Sequence, residues 1–221
     1  MDLNLYEKYV LLTINDETGT VPFGYVKTLG FAGVLLMELC NKNHIELTNA
    51  EISVTQGTSS DPILNEALRW LSGKKQPKKI QPALQLVSSK MHPQFDTVVQ
   101  GLIEKGILSR EEKKFLWIFK VQHFPTQNET PENLIKNMPR GIVIYGNYAD
   151  DENTQLLGLI DALNLYKEIF KKDEIKKARK KTKELVQRDA FSNDIKKIIQ
   201  MEITMAIAAG IAVSTVTTSS H

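Results

Sequence analysis

The sequence predicts a mainly α-helical protein, with one globular domain over residues 1–221 that has a helical core, surrounding amphipathic helices and short β-hairpins. Apolar residues make up 42% of the 221-residue chain, enough to build a sizeable hydrophobic core. In most segments they recur at helical spacing. The segments in which apolar and polar residues alternate are short and lie next to turns, which favours hairpins over a large sheet.

The N-terminal part predicts two helices and a hairpin. "YEKYVLLTINDETGTV" indicates a helix that leads into a turn at Asp-Glu-Thr-Gly. In Leu29–Asn41 nearly every face is apolar, so we expect a helix that is buried on most sides. "HIEL" and "AEISVTQ" then form a pair of short strands. The first ten residues lack the charged lead and apolar run of a secretory signal, so we expect a cytoplasmic protein.

Three helices are expected in the middle of the chain. Asp61 is a good N-cap and Pro62 suits the first helical position. The residues that follow form an apolar stripe at helical spacing: Ile63, Leu64, Ala67, Leu68 and Leu71. A second helix, "QPALQLVSSK", ends at His92-Pro93. A third spans Phe95–Lys105 and ends at Gly106, where a left-handed C-cap is expected.

The segment Ser109–Val121 allows two interpretations. Ser109-Arg-Glu-Glu resembles a capping box, whereas the aromatic and β-branched residues after it favour a strand. We predict a hairpin with arms Gly106–Leu108 and Phe115–Val121 and a polar turn between them. Its second arm carries five successive large apolar residues: Phe115, Leu116, Trp117, Ile118 and Phe119. They cannot share one face, so either the monomer buries both faces or a partner or membrane covers one.

The C-terminal part predicts four further helices. "TPENLIKNM" begins a helix with Thr130 as cap, and Asp151–Phe170 reads as one long amphipathic helix. Residues 172–189 predict a strongly basic helix with a thin apolar stripe of Ile175, Ala178 and Leu185. The last helix begins near Asn193 and enters the apolar segment 203–216, which is too short to span a bilayer. We therefore expect that segment to be a buried helix.

Charge is unevenly distributed, although the net charge is only +2. Residues 1–60 and 121–170 carry net negative charge, whereas residues 61–120 and 171–221 carry net positive charge. A face built from the basic zones would attract phosphate on lipids or nucleic acid. The predicted basic surface consists of Lys74, Lys75, Lys78, Lys79, Lys176, Lys177, Arg179, Lys180 and Lys181.

Catalytic and metal-binding motifs are missing from the sequence. It contains no GxSxG, HExxH or CxxC pattern. "GLIEKG" has the glycine spacing of a P-loop, but Ile107-Leu108 stands where Lys-Ser/Thr is required. The four histidines are too scattered to suggest a metal site. We expect no enzymatic activity, no cofactor and no metal.

Six segments, in order and spacing, resemble the Golgi phosphoprotein 3 family over nearly the whole chain. They are "LLTINDETGTVPF", "LGFAGVLLMELCNKNHIEL", "DPILNEALRWL", "GLIEKGILSREEKKFLWIF", "QHFP" and "LLGLIDALNLYKEIF". The resemblance implies a mostly helical, non-enzymatic domain. Eukaryotic members bind phosphatidylinositol 4-phosphate on Golgi membranes and hold the cytoplasmic tails of glycosyltransferases. The short N-terminus and the missing arginines described next indicate a prokaryotic relative.

The resemblance also implies where lipid would bind. The family's headgroup residues, a tryptophan and three arginines, align with Phe23, Ala32, His92 and Phe95. Alanine and phenylalanine cannot make the charge-assisted bonds that arginine makes to phosphate. The family's hairpin contacts membranes and other copies, so Phe115–Phe119 is expected to do the same. The implied partners are an anionic membrane surface, with peripheral attachment, and a homo-oligomer.

A second hypothesis is a winged-helix-like nucleic-acid-binding protein. Both "LLMELCNKNHIEL" and "GLIEKGILSREEKKFLWIF" run from a helix through a break to a strand, as in a helix followed by a wing. A recognition helix should expose several Arg, Lys, Asn or Gln side chains. The helix at 95–105 offers only Gln94, Gln100 and Lys105. We therefore rank nucleic acid second as a partner.

Overall fold

The computed structural model describes residues 3–14, 24–48, 51–73, 76–115, 119–127, 129–188, 194–195 and 197–198. The named helices in this part are α1 Leu5–Thr13, α2 Tyr25–Asn41, α3 Pro62–Leu71, α4 Ile80–Lys90, α5 His92–Glu104, α6 Glu129–Tyr145, α7 Asp151–Ala162, α8 Tyr166–Ile169 and α9 Ile175–Val186. The strands form two antiparallel hairpins, β1 Ile45–Thr48 with β2 Glu51–Val54, and β3 Glu111–Phe115 with β4 Phe119–His123. The predicted mainly α-helical fold is confirmed.

Helix α2 lies at the centre of the hydrophobic core. Its residues from Leu29 to Leu39 are buried, as the apolar character of all its faces predicted. Helices α1, α3, α4 and α7 pack around it. One cluster of buried side chains runs from Leu3 to Ile195, so the helices from both ends of the described chain share a core.

Helices α2, α5 and α7 end in the same way, with a left-handed residue followed by the same pair of backbone bonds. Asn43 follows α2 at φ 57°, Gly106 follows α5 at φ 67°, and Asn164 follows α7 at φ 58°. In each case the next residue's N–H bonds back to the third-last helical carbonyl, for example Ile107 to Leu102 at 3.0 Å. This is the Schellman arrangement, and it confirms the predicted C-cap at Gly106.

The prediction of one long helix over Asp151–Phe170 is wrong. Helix α7 ends at Ala162, and the short α8 begins at Tyr166. The left-handed conformation at Asn164 turns the chain between them, and Leu165 N–H bonds to the Ile160 carbonyl at 2.9 Å. Asparagine adopts this conformation more readily than most residues, so it can end a helix without a glycine.

Helix α3 and the first hairpin form as predicted. Asp61 Oδ1 accepts bonds from Ile63 N at 2.9 Å and Leu64 N at 3.1 Å, which confirms it as the N-cap. All five residues of the predicted α3 stripe are buried. In the hairpin, the register pairs Ile45 with Val54 and Thr48 with Glu51.

The second hairpin exists, but its predicted arms are wrong. Residues 111–114, expected in the turn, lie in strand β3 together with Phe115, and Phe119 begins strand β4. Register explains the difference. The bridge between Leu108 and Thr126 fixes the base, and pairing outward from it ends with Phe115 opposite Phe119. Backbone pairing from the base therefore defines the arms, although the side chains of β3 are largely charged.

The C-terminal helices differ from prediction mainly at their ends. Helix α6 begins at Glu129, so Thr130 lies inside it, and it continues through Pro139 to Tyr145. Helix α9 lies within the predicted basic segment, and its buried stripe is Ala178, Thr182 and Val186, with Ile175 and Leu185 partly buried. The predicted apolar helix at 203–216 lies outside the described residues.

Candidate membrane-binding surface

Three of the four positions aligned with the family's headgroup residues lie in the helices α2 and α5. Ala32 in α2 is fully buried, and Phe95 in α5 is 3% exposed. Phe31 packs edge-on against Phe95, with ring centroids 5.3 Å apart. His92 is the first residue of α5, and Phe23 lies outside the described residues. The structure therefore places two of these positions in apolar packing, and the lipid pocket stays a prediction.

A buried lysine that the sequence analysis missed lies close to the start of α2. Lys27 Nζ donates to the Thr13 carbonyl at 2.7 Å, and the Tyr9 hydroxyl donates to the Lys27 carbonyl at 2.8 Å. Burial lowers the pKa of Lys27 to about 8, although nearby Glu168 favours the charged form. These bonds join the end of α1 to the start of α2. A single lysine in the first turn of an otherwise apolar helix was the available signal.

We expect Lys27 to make the protein more stable as the pH rises from 8 to 10. Its pKa is about 8 in the folded protein and near 10.5 in the unfolded chain. In this range the unfolded chain binds more protons, so the free energy of unfolding increases with pH. Lys136, whose pKa burial also lowers to about 8, acts in the same direction. Above pH 10, Tyr9 acts in the opposite direction: burial raises its pKa, so the unfolded chain loses the tyrosine proton first and the free energy of unfolding falls with pH.

The test is urea unfolding of wild type and Lys27→Met at pH 8, 9 and 10. In the variant, the free energy of unfolding should rise less steeply with pH. The difference in slope should be up to about 1.4 kcal/mol per pH unit, which is the contribution of one proton. Lys90→Met is the matched control because Lys90 is exposed, and it should keep the wild-type slope. Identical slopes for wild type and Lys27→Met would contradict the prediction.

The structure brings the two ends of the predicted apolar segment together. Phe115 and Phe119 are opposite each other in register at the outer end of the hairpin, and residues 116–118 lie outside the described residues. The base is held by the bond from Ser109 N to the Pro125 carbonyl at 2.8 Å. Phe115 and Phe119 therefore lie in opposite arms, instead of following one another in a single arm.

The predicted basic residues fall on two separate elements. Lys78 and Lys79 are exposed in the segment beside β2, where the Lys78 carbonyl accepts from Ile52 N at 2.8 Å. Lys74 and Lys75 lie outside the described residues. The second group lies on α9, which packs against α6, α7 and α8. The two predicted basic zones therefore lie on different elements of the fold.

Helix α9 presents lysines on the side opposite its buried stripe. Lys176, Lys180 and Lys183 follow one another at spacings of four and three residues, and all three are exposed. The sequence analysis had not included Lys183. Lys177 is also exposed, on the flank nearer α6, whereas Arg179 lies over the Tyr166 ring at 4.5 Å. The outer face of α9, defined as Lys176, Lys180 and Lys183, is therefore a row of cations facing solvent.

The exposed side of α5 does not favour nucleic acid. It carries Asp96 and Glu104, and Gln100 Nε2 donates to Glu104 at 3.3 Å. Lys105, the cation counted toward a recognition helix, binds the Glu7 carboxylate at 2.7 Å. Carboxylates beside a phosphate backbone would repel it. The geometry thus gives the winged-helix hypothesis no support.

The described residues lack two kinds of feature, a membrane-spanning helix and a cluster of metal ligands. Within the described part of the chain, no helix combines the length and apolar character needed to cross a bilayer. The same residues include no cluster of three or more His, Cys, Asp or Glu side chains that could hold a metal ion.

The match to a known protein family covers almost the whole chain. The family model described as Golgi phosphoprotein 3 (GPP34) matches residues 5–201 of the 221-residue chain. The match begins at the first residue of α1 and continues past the end of α9. It covers the central helix, both hairpins and the basic helix, in agreement with the resemblance carried by the six sequence segments. The chain therefore belongs to the Golgi phosphoprotein 3 (GPP34) family.

Proposed function

We propose that this protein is a non-enzymatic adaptor that attaches peripherally, from the cytoplasm, to anionic membranes. The observation that carries the proposal is the outer face of α9. Three exposed lysines lie in a row there, and the opposite side of the helix is anchored in the core through Ala178, Thr182 and Val186. Membership of the Golgi phosphoprotein 3 family supports a lipid-binding role.

Charge gives this surface a useful affinity for lipid. Each lysine close to an anionic bilayer contributes about 1 kcal/mol, so the three lysines together contribute about 3 kcal/mol. This electrostatic contribution to binding is moderate. Stable attachment generally needs a second, apolar contribution. The apolar segment that the sequence predicts for this role, Phe115–Phe119, is our candidate for it.

We expect the net charge of the membrane to matter more than one particular headgroup. Ala32 and Phe95 carry no charge, and both are buried. They cannot provide the bidentate contacts by which arginines select a phosphate. The lysines of α9 can attract any anionic lipid. Binding to phosphatidylinositol 4-phosphate should therefore match binding to other lipids at equal surface charge.

The test is flotation with vesicles, using the double variant Lys176→Gln/Lys180→Gln. Loss of two lysines, each worth about 1 kcal/mol, should weaken binding to anionic vesicles by about 30-fold. Added salt should weaken the wild type in the same direction. Lys90→Gln/Lys167→Gln is the matched control because it removes the same charge from exposed positions on other elements. It should bind nearly as the wild type does.

Two results would overturn the proposal. One is wild-type binding that is equally weak on neutral and anionic vesicles. The other is a strong preference for phosphatidylinositol 4-phosphate over phosphatidylserine when the surface charges are matched, because charge alone could not produce it.

A further inference from the structure

Helix α6 and the loop after it expose large apolar side chains. Leu134 and Tyr145 are each 67% exposed, and Tyr148 is 87% exposed. In the described residues, these three are the large hydrophobic side chains that remain most open to solvent. The role proposed above for the outer face of α9 does not explain them.

The exposed residues form a line along α6. Leu134 and Tyr145 are eleven residues apart, which is just over three full helical turns, so they lie on the same side of the helix. Ile135, Ile142 and Val143 face the core instead. Gly146, at φ 79°, ends the helix, and Tyr148 follows in the loop. The chain turns back at this point, since Asn147 N–H bonds to the Gly141 carbonyl at 3.1 Å, and Tyr148 is exposed just after the turn.

Specific contacts hold the end of this line beside the basic helix. Lys177 Nζ donates to the Ile144 carbonyl at 3.1 Å. Arg140 binds Glu174, immediately before α9, through Nη2 at 2.7 Å and Nε at 3.0 Å. The Arg140 guanidinium also lies 5.6 Å from the centre of the Tyr145 ring. The end of α6 that carries Tyr145 thus lies against the start of α9, where Lys177 is exposed.

We propose that α6 lies along the membrane surface, with Leu134, Tyr145 and Tyr148 inserted at the level of the lipid headgroups. Tyrosine suits this depth because its ring is apolar and its hydroxyl can stay in the polar layer. The adjacent lysines of α9 complement anionic lipid. This inference rests on the proposed function and extends it, because it identifies which apolar side chains accompany the basic helix.

Charge favours a lipid surface over a protein as the occupant. Lysine is depleted at protein–protein interfaces, whereas aromatic side chains next to lysines are typical of helices that lie in the membrane interface. The exposed residues here are three separate side chains on or just after a helix that packs against α9, whose outer face carries the three exposed lysines. Apolar side chains beside such a helix fit a fluid, anionic surface.

The test places an environment-sensitive nitrobenzoxadiazole dye at single cysteines in the full-length chain carrying Cys40→Ser. The labelled variants are Leu134→Cys, Tyr145→Cys and Tyr148→Cys, with Ser89→Cys on the exposed side of α4 as the matched control. On phosphatidylserine vesicles, the three α6-side dyes should shift to shorter emission wavelengths and be quenched by spin-labelled lipid. The Ser89→Cys dye should do neither.

An unlabelled variant checks that the contact contributes to affinity. Tyr145→Ser/Tyr148→Ser should weaken binding to the same vesicles by about tenfold, because it removes apolar area that the membrane would bury. Both side chains are exposed, so the variant should unfold at the wild-type urea concentration.

The outcomes separate this inference from the proposed function. If the protein floats with anionic vesicles but the dyes at 145 and 148 do not respond, the inference is wrong and the proposed function stands. If the labelled proteins do not bind anionic vesicles at all, both fail. A dye response that grows with protein concentration in the absence of lipid would show that a second copy covers this surface, which also overturns the inference.

Discussion

Replacing Gly30 by alanine should lower the free energy of unfolding by about 2 to 3 kcal/mol, because the site has no room for a methyl group. A Cβ at this position would lie 2.4 Å from the Tyr9 hydroxyl oxygen and 2.6 Å from Leu163 Cδ1. Alanine is the better helix former by about 1 kcal/mol. The expected loss is therefore the net result of a steric cost that exceeds this gain.

The neighbours of Gly30 cannot easily move aside. Tyr9 is fully buried, its hydroxyl donates to the Lys27 carbonyl, and its ring lies 6.5 Å from that of Phe31. Shifting it would break a buried hydrogen bond and disturb the contact between α1 and α2. Close packing in the core thus makes the glycine necessary at this position.

Gly101→Ala is the matched control, since it makes the same change inside another helix. No atom lies within 4 Å of a Cβ built at Gly101 in α5. With no steric cost, the gain in helix propensity should raise the free energy of unfolding by about 0.5 to 1 kcal/mol. Urea unfolding of both variants decides the matter. If Gly30→Ala were as stable as Gly101→Ala, the described packing of Tyr9 and Leu163 would be incorrect.

Features set by a few neighbouring residues could be predicted from the sequence. The cap at Asp61 and the C-cap at Gly106 depend on side-chain chemistry within one helical turn, and both are confirmed. The division between α7 and α8 was missed because Leu163-Asn164-Leu165 continues the helical apolar pattern. Asn164 takes the left-handed conformation that was expected only of glycine.

The arms of the second hairpin and the exposed residues of the candidate surface could not be predicted from the sequence. Both depend on contacts between segments that are far apart in the chain. The register of β3 and β4 is fixed by the bridge from Leu108 to Thr126, so apolar content could not locate the arms. The basic character of α9 was predictable from composition. The exposure of Tyr145 and Tyr148 was not, because it depends on how α6 packs against the rest of the fold.

We also expect Lys105→Met to lower the free energy of unfolding by about 2 kcal/mol. Lys105 Nζ binds both carboxylate oxygens of Glu7, at 2.7 and 2.8 Å, and Glu7 is 5% exposed. Removing the cation leaves a buried carboxylate whose described remaining bond is the one from Asn4 N at 3.0 Å. Loss of one partner of a buried pair costs about 3 to 5 kcal/mol. The lower value expected here reflects the partly exposed lysine.

The pair also connects the N-terminal helix to the base of the second hairpin. Glu7 lies in α1, and Lys105 directly follows α5 and precedes the turn at Gly106. Weakening the pair should therefore loosen the segment from which the hairpin emerges. Amide hydrogen exchange should show this as faster exchange at Ile107 N–H, which is bonded to the Leu102 carbonyl.

A double-mutant cycle isolates the interaction between the two side chains. Glu7→Gln should cost less than Lys105→Met, because the partly exposed lysine can be solvated whereas the buried carboxylate cannot. Combining the two changes should restore part of the loss, since the double variant has no buried charge at this site. The coupling energy measured by urea unfolding should then be about 1 kcal/mol or more. Strictly additive effects would show that the pair contributes nothing of its own, and that the loss in Lys105→Met comes from the packing of the lysine side chain.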